Sequence, residues 1–248
     1  MNKHIFIGII LLYLLVLYFI LSTSPLFKPN NKFKQNKNDI PVNLPNEFSI
    51  TLPASSDAGQ AYIDKIYFVG ESTTSHFFKG GIDRSHILVP SSATLTLGSD
   101  ILQILVGNEN LNIPDAIRSS NAEILIITIG VNNAMNFSKN QYKSFYSKLI
   151  EAIMYNSPDT KIILQSSFPV TKEFSSKSNA ISNEAIDRNN EWTKELAKEY
   201  SLKYLDTQSI LKDDSGALKK EYENGDGVHL NEKAYSLIIQ YIRTHAIE

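Results

Sequence analysis

Residues 123–133 read EILIITIGVNN, and this stretch predicts the fold more clearly than any other. From Ile124 to Ile127 the residues are apolar without alternation, so a strand formed here would be buried on both faces. The stretch KIILQ at residues 161–165 has the same character. Strands of this kind belong to parallel sheets that helices cover on two sides, and the sequence therefore predicts an α/β fold.

Short apolar segments alternate with segments of helical periodicity from residue 62 onwards. The predicted strands are residues 66–69, 124–129, 161–165 and 203–205, with weaker ones around Val89 and at residues 104–106. The predicted helices are residues 138–155, 183–200 and 231–243, the last with Asn231 as its N-cap. This alternation indicates a parallel sheet with right-handed crossovers, in which reactive side chains gather where the strands end.

The N-terminus carries an unbroken apolar run, IFIGIILLYLLVLYFIL, from Ile5 to Leu21. As a helix the run would be roughly 26 Å long, which is enough for a thin bilayer core. We predict a transmembrane signal anchor over residues 1–22; a cleaved secretion signal is the alternative, because Lys3 and His4 precede the run. The lysines after the run favour a cytoplasmic domain, but its N-terminal position favours an extracellular one, which we expect.

Residues 23–61 are predicted to form a flexible tether. The stretch KPNNKFKQNKND at residues 28–39 is rich in Asn and Lys, and five prolines interrupt any regular pattern between residues 25 and 53. Such a segment has too little apolar surface to offset the entropy of ordering. Residues 62–248 then remain as one domain, long enough to bury most of its unfolded surface.

The composition excludes several classes of protein. The 248 residues are 42% hydrophobic with a net charge of −2, which is typical of a globular chain without affinity for nucleic acid. The chain has no cysteine, which excludes disulfides, thiolate zinc sites and cysteine nucleophiles. His4 and His86 have no carboxylate partner at metal-ligand spacing, and no HExxH motif occurs. The Lys79–Gly81 segment lacks the end of a P-loop motif, so neither metal nor cofactor is expected.

Two polar segments directly follow predicted strands. Ser72 comes two residues after Gly70, where its hydroxyl would point out of the sheet edge and its backbone N–H would have no helical partner. Ser72 could equally serve only as a helix cap. Asn132 comes two residues after Gly130, where its amide could stabilise developing negative charge or could simply belong to a turn.

A third polar segment, NGDGVHLNEKAY at residues 224–235, precedes the last helix. Asp226 could hold the tautomer of His229 while the imidazole takes a proton from a hydroxyl. Alternatively, Asp226 only stabilises a turn and His229 is a surface residue. Asp206 is a second candidate for the carboxylate, and His76, four residues after Ser72, lies either near a substrate or in a structural position.

Taken in this chain order, the three segments resemble the SGNH/GDSL hydrolase family. The resemblance runs from about Lys65 to the C-terminus and includes PSSATLTL, SPDTKIILQSSFPV and KYLDT, which look like a bacterial membrane-anchored or secreted branch of the family. It implies a three-layer α/β/α sandwich of flavodoxin-like type, with a mainly parallel sheet. It also implies ester hydrolysis through an acyl-enzyme.

The resemblance further implies the roles of the site residues. Ser72 would be the nucleophile, His229 the general base and then acid, and Asp226 the carboxylate that orients the imidazole. The oxyanion hole would be built from three groups: the backbone N–H groups of Ser72 and Ala93 and the side chain of Asn132.

Three positions depart from the family pattern. Glu71 stands where the family has Asp, which we expect to perturb the turn without abolishing the chemistry. Ala93 stands where a glycine usually supplies the amide, and Gly98 is the alternative donor; alanine restricts the backbone angles that are available. Asn133 stands where many members have Asp.

The sequence therefore predicts a membrane-tethered serine esterase that acts outside the cell. The expected substrates are acyl esters, especially acetyl esters, on surface carbohydrate, or another small ester. Two alternatives stay open at this point: transfer of the acyl group to another hydroxyl, and a non-catalytic surface-binding or assembly protein with the same fold.

Overall fold

The computed structural model describes residues 49–90, 103–106, 108–132, 135, 137–177 and 180–247. Its strands are β1 (Ile66–Gly70), β2 (Ile87–Leu88), β3 (Gln103–Val106), β4 (Glu109–Asn112), β5 (Ile124–Thr128), β6 (Lys161–Gln165) and β7 (Lys203–Leu205). Five of them form one sheet in the order β2-β1-β5-β6-β7, and every neighbouring pair in it is parallel.

The α-helices are α1 (Gln60–Ile63), α2 (Ser72–Ser75), α3 (Ile113–Ser120), α4 (Lys139–Asn156), α5 (Lys172–Ser175), α6 (Asn183–Glu199), α7 (Gln208–Leu211) and α8 (Glu232–Arg243). Short 3₁₀ turns cover Phe77–Gly80, Arg84–His86 and Lys220–Tyr222. The capping residues are those that the sequence favours. Ser138 forms a capping box with Gln141 at the start of α4, and the side chain of Asn231 accepts from the N–H of Ala234, as predicted.

Two apolar cores lie on opposite faces of the main sheet. On one face, Ile127 of β5 belongs to a cluster with Tyr142 of α4 and Leu196 of α6. On the other face, Ile126 of β5 belongs to a cluster with Tyr235 of α8. The uninterrupted apolar run of β5 is thus explained, because each face of the strand has its own layer of helices. The predicted α/β fold with a mainly parallel sheet is confirmed.

The predicted strands lie within one residue of the observed ones, except at the edge of the sheet. Residues 104–106 do form a strand, but β3 pairs antiparallel with β4 in a separate two-stranded sheet. β2 ends at Leu88, just before Val89. The hairpin and α3 were not predicted. β4 is short and mostly polar. α3 does have apolar residues at helical spacing, Ile113, Ala116 and Ile117, but it is only 8 residues long.

Part of the predicted tether is paired with the domain. Thr51 forms a parallel bridge with Tyr204, the N–H of Leu52 donates to the Tyr204 carbonyl at 2.9 Å, and Leu52 is buried. Asp57 then forms a two-pronged ion pair with Arg243 of α8. The packed region therefore begins before residue 62, because residues 50–52 satisfy the free edge of β7.

The predicted signal anchor at residues 1–22 and most of the tether lie outside the described residues. Among the helices described between residues 49 and 247, none combines the length and hydropathy that a bilayer crossing requires. The anchor therefore stays a prediction.

Gly70 ends β1 at a point where another strand and a helix come very close. A Cβ atom on Gly70 would collide with the Thr74 hydroxyl of α2 and with the carbonyl oxygen of Thr128 in β5. The absence of a side chain is what lets the chain leave β1 and enter α2 directly beside β5.

We expect Gly70→Ala to lower the free energy of unfolding by about 2 kcal/mol, because the methyl group has to displace backbone. Urea unfolding of the full chain measures this. Adding Thr74→Ala should recover only part of the loss, since the Thr128 carbonyl still obstructs the methyl group. Full stability of Gly70→Ala would contradict the close approach of β1 and β5.

Candidate active site

Ser72 begins the short helix α2 immediately after β1. The hydroxyl of buried Tyr235 in α8 donates to the carbonyl oxygen of Thr73 at 2.7 Å, which ties this helix to the body of the fold. Ser72 itself is partly exposed. The first amides of a helix have no partner within it, so the Ser72 N–H is available at the same edge as the Ser72 hydroxyl.

The structure brings Ser72, His229 and Asp226 together in one chain of contacts. The Ser72 Oγ lies 3.1 Å from the His229 Nε2, across 157 positions of sequence. The His229 Nδ1 lies 2.6 Å from the Asp226 Oδ2. Because an ionised carboxylate only accepts hydrogen bonds, Nδ1 carries the proton and Nε2 is left to accept from the serine hydroxyl.

A tight turn holds Asp226 under the imidazole. The Asp226 Oδ1 accepts from the N–H groups of Val228 and His229, each at 2.8 Å. Gly227 has φ +84°, and a Cβ there would lie 2.7 Å from the Thr171 hydroxyl oxygen, so glycine is needed at this position. Partial burial alone would raise the pKa of Asp226, but the hydrogen bonds from His229 and Val228 outweigh it and lower the pKa to about 2. The carboxylate is therefore ionised at neutral pH.

Glu71 joins the ends of β1 and β5. Its side chain is 2% exposed, and its carboxyl oxygens accept from the N–H groups of Gly130 at 3.1 Å, Val131 at 3.0 Å and Asn132 at 3.2 Å. The sequence predicted only that Glu71 would perturb the turn, and it did not predict these contacts. The longer side chain reaches across to the neighbouring strand exit and holds it. The sequence signal was a carboxylate directly after a buried strand, which needs several donors if it is itself buried.

This contact ties the backbone of Asn132 to the side chain of Glu71, the residue that directly precedes Ser72. Asn189 of α6 fixes the same loop from the other side, since its Nδ2 donates to the Gly130 carbonyl at 3.0 Å. Asn132 is partly exposed, so it can be reached from the solvent. Ala93, Gly98 and Asn133 lie outside the described residues, so the third predicted oxyanion donor stays a prediction.

The other two candidate residues, Asp206 and His76, differ in their position relative to His229. Asp206 at the end of β7 is not the partner of His229, and one of its carboxylate oxygens is buried without a partner in the described part of the chain. His76 does lie near the site, because its ring stands edge-on to the His229 ring with 5.7 Å between their centroids. No three His, Asp or Glu side chains of the described residues are grouped as metal ligands.

Comparison with known proteins adds a family match. The model of a family described as GDSL-like lipase/acylhydrolase matches residues 92–237, more than half of the chain. The match includes Asn132, Asp226 and His229 and begins after Ser72. No curated protein matches the chain.

Solved structures share the fold at low sequence identity. A protein from Streptococcus pneumonia, described as a candidate platelet activating factor, is 20% identical over 74% of this chain and 88% of its own, with a TM-score of 0.52. An acetyl xylan esterase, AlAXEase, is 15% identical over 73% of this chain and 99% of its own, with a TM-score of 0.50. At these identities the likeness shows a common fold.

Removing the Glu71 carboxylate should release the loop that carries Asn132. We expect Glu71→Ala to lower the free energy of unfolding by about 3 kcal/mol, because three amides lose their acceptor and a cavity forms. Glu71→Gln keeps the volume and one acceptor oxygen, so it should lose less. Urea unfolding measures both variants, and an Ala variant as stable as the wild type would contradict the contact.

The same carboxyl group gives stability a specific dependence on pH. Burial raises the pKa of Glu71 from 4.5 to about 7, against the opposing effect of the three hydrogen bonds. Between these values the folded protein holds a proton that the unfolded chain has lost, so stability falls as the pH rises from 4.5 to about 7. Glu71→Gln should lack this component, and an equal slope in both proteins would contradict it.

Asp226→Asn should leave His229 in the wrong tautomer. We expect kcat for ester hydrolysis to fall by about 10³–10⁴-fold, the scale known for this change in a Ser-His-Asp site. The substitution should change the pH dependence of the free energy of unfolding only at acidic pH. The lowered pKa of Asp226 contributes a loss of stability as the pH falls from 3.8 to about 2, and the variant should lack this component.

Asp206→Asn is the matched control for this experiment. It changes the other aspartate at this edge of the sheet and should keep kcat within a few-fold of the wild type. Steady-state kinetics on an aryl acetate compare the two variants. Loss of activity in Asp206→Asn with retention in Asp226→Asn would show that Asp206, and not Asp226, is the carboxylate that acts with His229.

Proposed function

Since the chain belongs to the GDSL-like lipase/acylhydrolase family, we propose that it is a serine esterase that cleaves acyl esters through a covalent acyl-enzyme. The observation that carries the proposal is the 3.1 Å contact between the Ser72 Oγ and the His229 Nε2, continued by the 2.6 Å contact to Asp226. A hydroxyl, an imidazole and an ionised carboxylate in this order are the groups that nucleophilic acyl transfer requires.

In the first half of the proposed reaction, the His229 Nε2 takes the proton of the Ser72 hydroxyl while the oxygen attacks the acyl carbon. The carbonyl oxygen becomes an oxyanion, which the Ser72 N–H and the Asn132 side chain stabilise, with the N–H of Ala93 as the third donor. The ester C–O bond then breaks. His229 returns the proton to the departing alkoxide, so that an alcohol leaves and Ser72 carries the acyl group.

In the second half, a water molecule follows the path of the serine hydroxyl. His229 takes its proton, the hydroxide oxygen attacks the acyl-serine, and Ser72 recovers the proton as the free acid leaves. Asp226 stays ionised throughout, since its pKa of about 2 lies far below neutral pH. Its part is to orient the imidazole and to stabilise the imidazolium that forms twice in each cycle.

The proposed substrates are acetyl and other short acyl esters of carbohydrate. The partial exposure of Ser72 and of the His229 ring supports this, because a bulky alcohol such as a sugar can reach both groups from the solvent. Another hydroxyl could take the place of water in the second half, and the product would then be a new ester. A test of the proposal therefore has to identify the products, because they show whether water or another hydroxyl accepts the acyl group.

The proposed location is the outer surface of a membrane, with the esterase domain attached through its N-terminal segment. The apolar run from Ile5 to Leu21 supports attachment, since its length as a helix suits a bilayer core. A topology reporter fused to the full chain at Glu248 tests the orientation.

The esterase proposal is tested with a fluorophosphonate probe on the full chain. We expect the wild type to be labelled and Ser72→Ala not to be, while Ser75→Ala, in the same short helix, is still labelled. His229→Ala should lose at least about 10³-fold in kcat with an aryl acetate. A folded wild type that neither takes the label nor hydrolyses an acetyl ester would favour a non-catalytic binding protein instead.

A further inference from the structure

The segment that follows the nucleophile carries a group of basic and aromatic side chains. We call His76, Phe78, Lys79 and Arg84 the cationic patch. All four belong to the chain between α2 and β2, in the two 3₁₀ turns Phe77–Gly80 and Arg84–His86 or at their start. None of them has a part in the proposed acyl transfer.

A series of ring contacts connects the cationic patch to the candidate active site. The His76 ring stands 5.7 Å from the His229 ring, and the Phe78 ring stands 6.0 Å from the His76 ring. The Arg84 guanidinium lies over the Phe78 ring, with its Cζ 3.5 Å from the centroid. A guanidinium that contacts a ring through its face still has N–H groups that can donate to another partner.

The two cations of the patch have no carboxylate partner among the described residues. Some other cations of the described fold, among them Lys65, Lys233 and Arg243, are each paired with a carboxylate within 3 Å. The carboxylate next to Arg84 in sequence, Asp83, is engaged instead by the N–H and hydroxyl of Ser85.

His76 is arranged to accept a hydrogen bond within the same patch. Its Nδ1 lies 3.0 Å from the carbonyl oxygen of Ser72, and a carbonyl can only accept, so Nδ1 carries the proton and Nε2 has a free lone pair. Burial lowers the pKa of His76, and the positive charges of Lys79 and Arg84 lower it further, whereas the contact with Ser72 opposes both. The backbone N–H of Lys79 donates to the carbonyl oxygen of His76 at 2.9 Å, so the two residues belong to the same turn.

We propose that the cationic patch binds a negatively charged group of the ester substrate, placed a short distance from the acyl group that Ser72 attacks. This inference rests on the proposed esterase function and adds a substrate class to it, namely esters whose alcohol part carries a carboxylate or a phosphate. Arg84 and Lys79 donate charge-assisted hydrogen bonds to the anionic oxygens. The Nε2 of His76 accepts from a hydroxyl of the same alcohol.

The test compares esters that differ only in charge. The full chain is assayed with 4-acetoxybenzoate and 4-acetoxyphenyl phosphate as the anionic substrates and with 4-acetoxybenzamide as the neutral one. The measured quantity is the ratio of kcat/KM for each anionic ester to that for the neutral ester. Comparison of the carboxylate ester with the phosphate ester shows which of the two anionic groups the patch prefers.

The informative variant is Lys79→Gln/Arg84→Gln. We expect it to lower the anionic-to-neutral ratio by about tenfold for at least one of the two anions, the effect of losing one charge-assisted hydrogen bond. Lys65→Gln/Arg118→Gln is the matched control. It removes the same charge near the beginning of β1 and β5, at the opposite edge of the sheet, and should leave the ratio as in the wild type.

A binding measurement separates the failure of the patch from the failure of the esterase. Phenyl phosphate and benzoate are titrated into Ser72→Ala protein, with and without the Lys79 and Arg84 changes, by isothermal titration calorimetry. Weaker binding without the two cations supports the patch even if no ester is hydrolysed. If the wild type is active but neither the anionic-to-neutral ratio of kcat/KM nor the anion affinity changes when Lys79 and Arg84 are replaced, the cationic patch is not an anion site. The esterase proposal would be unaffected by that result.

Discussion

The contact between the Glu71 carboxyl and three consecutive backbone amides is the interaction on which the site depends. β1 and β5 run in parallel and leave the sheet at the same edge, but parallel pairing alone does not fix the loops beyond the strand ends. Glu71 fixes them, because one buried side chain satisfies the N–H groups of Gly130, Val131 and Asn132. The backbone that presents Ser72 and the loop that carries Asn132 therefore form one unit. A buried carboxyl without such donors would cost several kcal/mol.

The topology of the sheet explains how residues far apart in sequence meet. Ser72 leaves the end of β1, and Asn132 leaves the end of β5 next to it. His229 reaches the same edge from the turn before α8, whose Tyr235 holds α2 in place. Two glycines make this possible, because Gly70 admits the close approach of α2 to β5 and Gly227 admits the turn under Asp226. Each reactive group is thus positioned by an element of the core.

The sequence predicts the parts of this structure that depend on hydrophobic pattern. β5 and β6 are recognisable because both faces of each strand are apolar, and α8 is recognisable because Asn231 caps a helix with a regular apolar stripe. The pairing of Thr51 with Tyr204 could not be predicted, since it depends on a free sheet edge rather than on the composition of the segment. The strand at residues 104–106 was predicted, but its pairing with β4 could not be, because β4 is short and polar.

The site shows the same limit of sequence reasoning. Spacing after strands singles out Ser72 and Asn132, and the motif before α8 singles out Asp226 and His229, but the partners of Glu71 appear only in three dimensions. The arrangement of Lys79 and Arg84 next to the site is likewise a property of the folded chain, because a basic residue in a sequence does not reveal whether a carboxylate neutralises it.

The most direct test of the account is to find the atom that carries the acyl group. The full chain is mixed with an aryl acetate, quenched in acid during the first turnover, digested and mapped by mass spectrometry. We expect one acetyl group on the peptide that contains Ser72, localised to the Ser72 side chain and absent from Ser72→Ala. Acetyl on Ser75 or a threonine of α2, or turnover without any acylated residue, would contradict it.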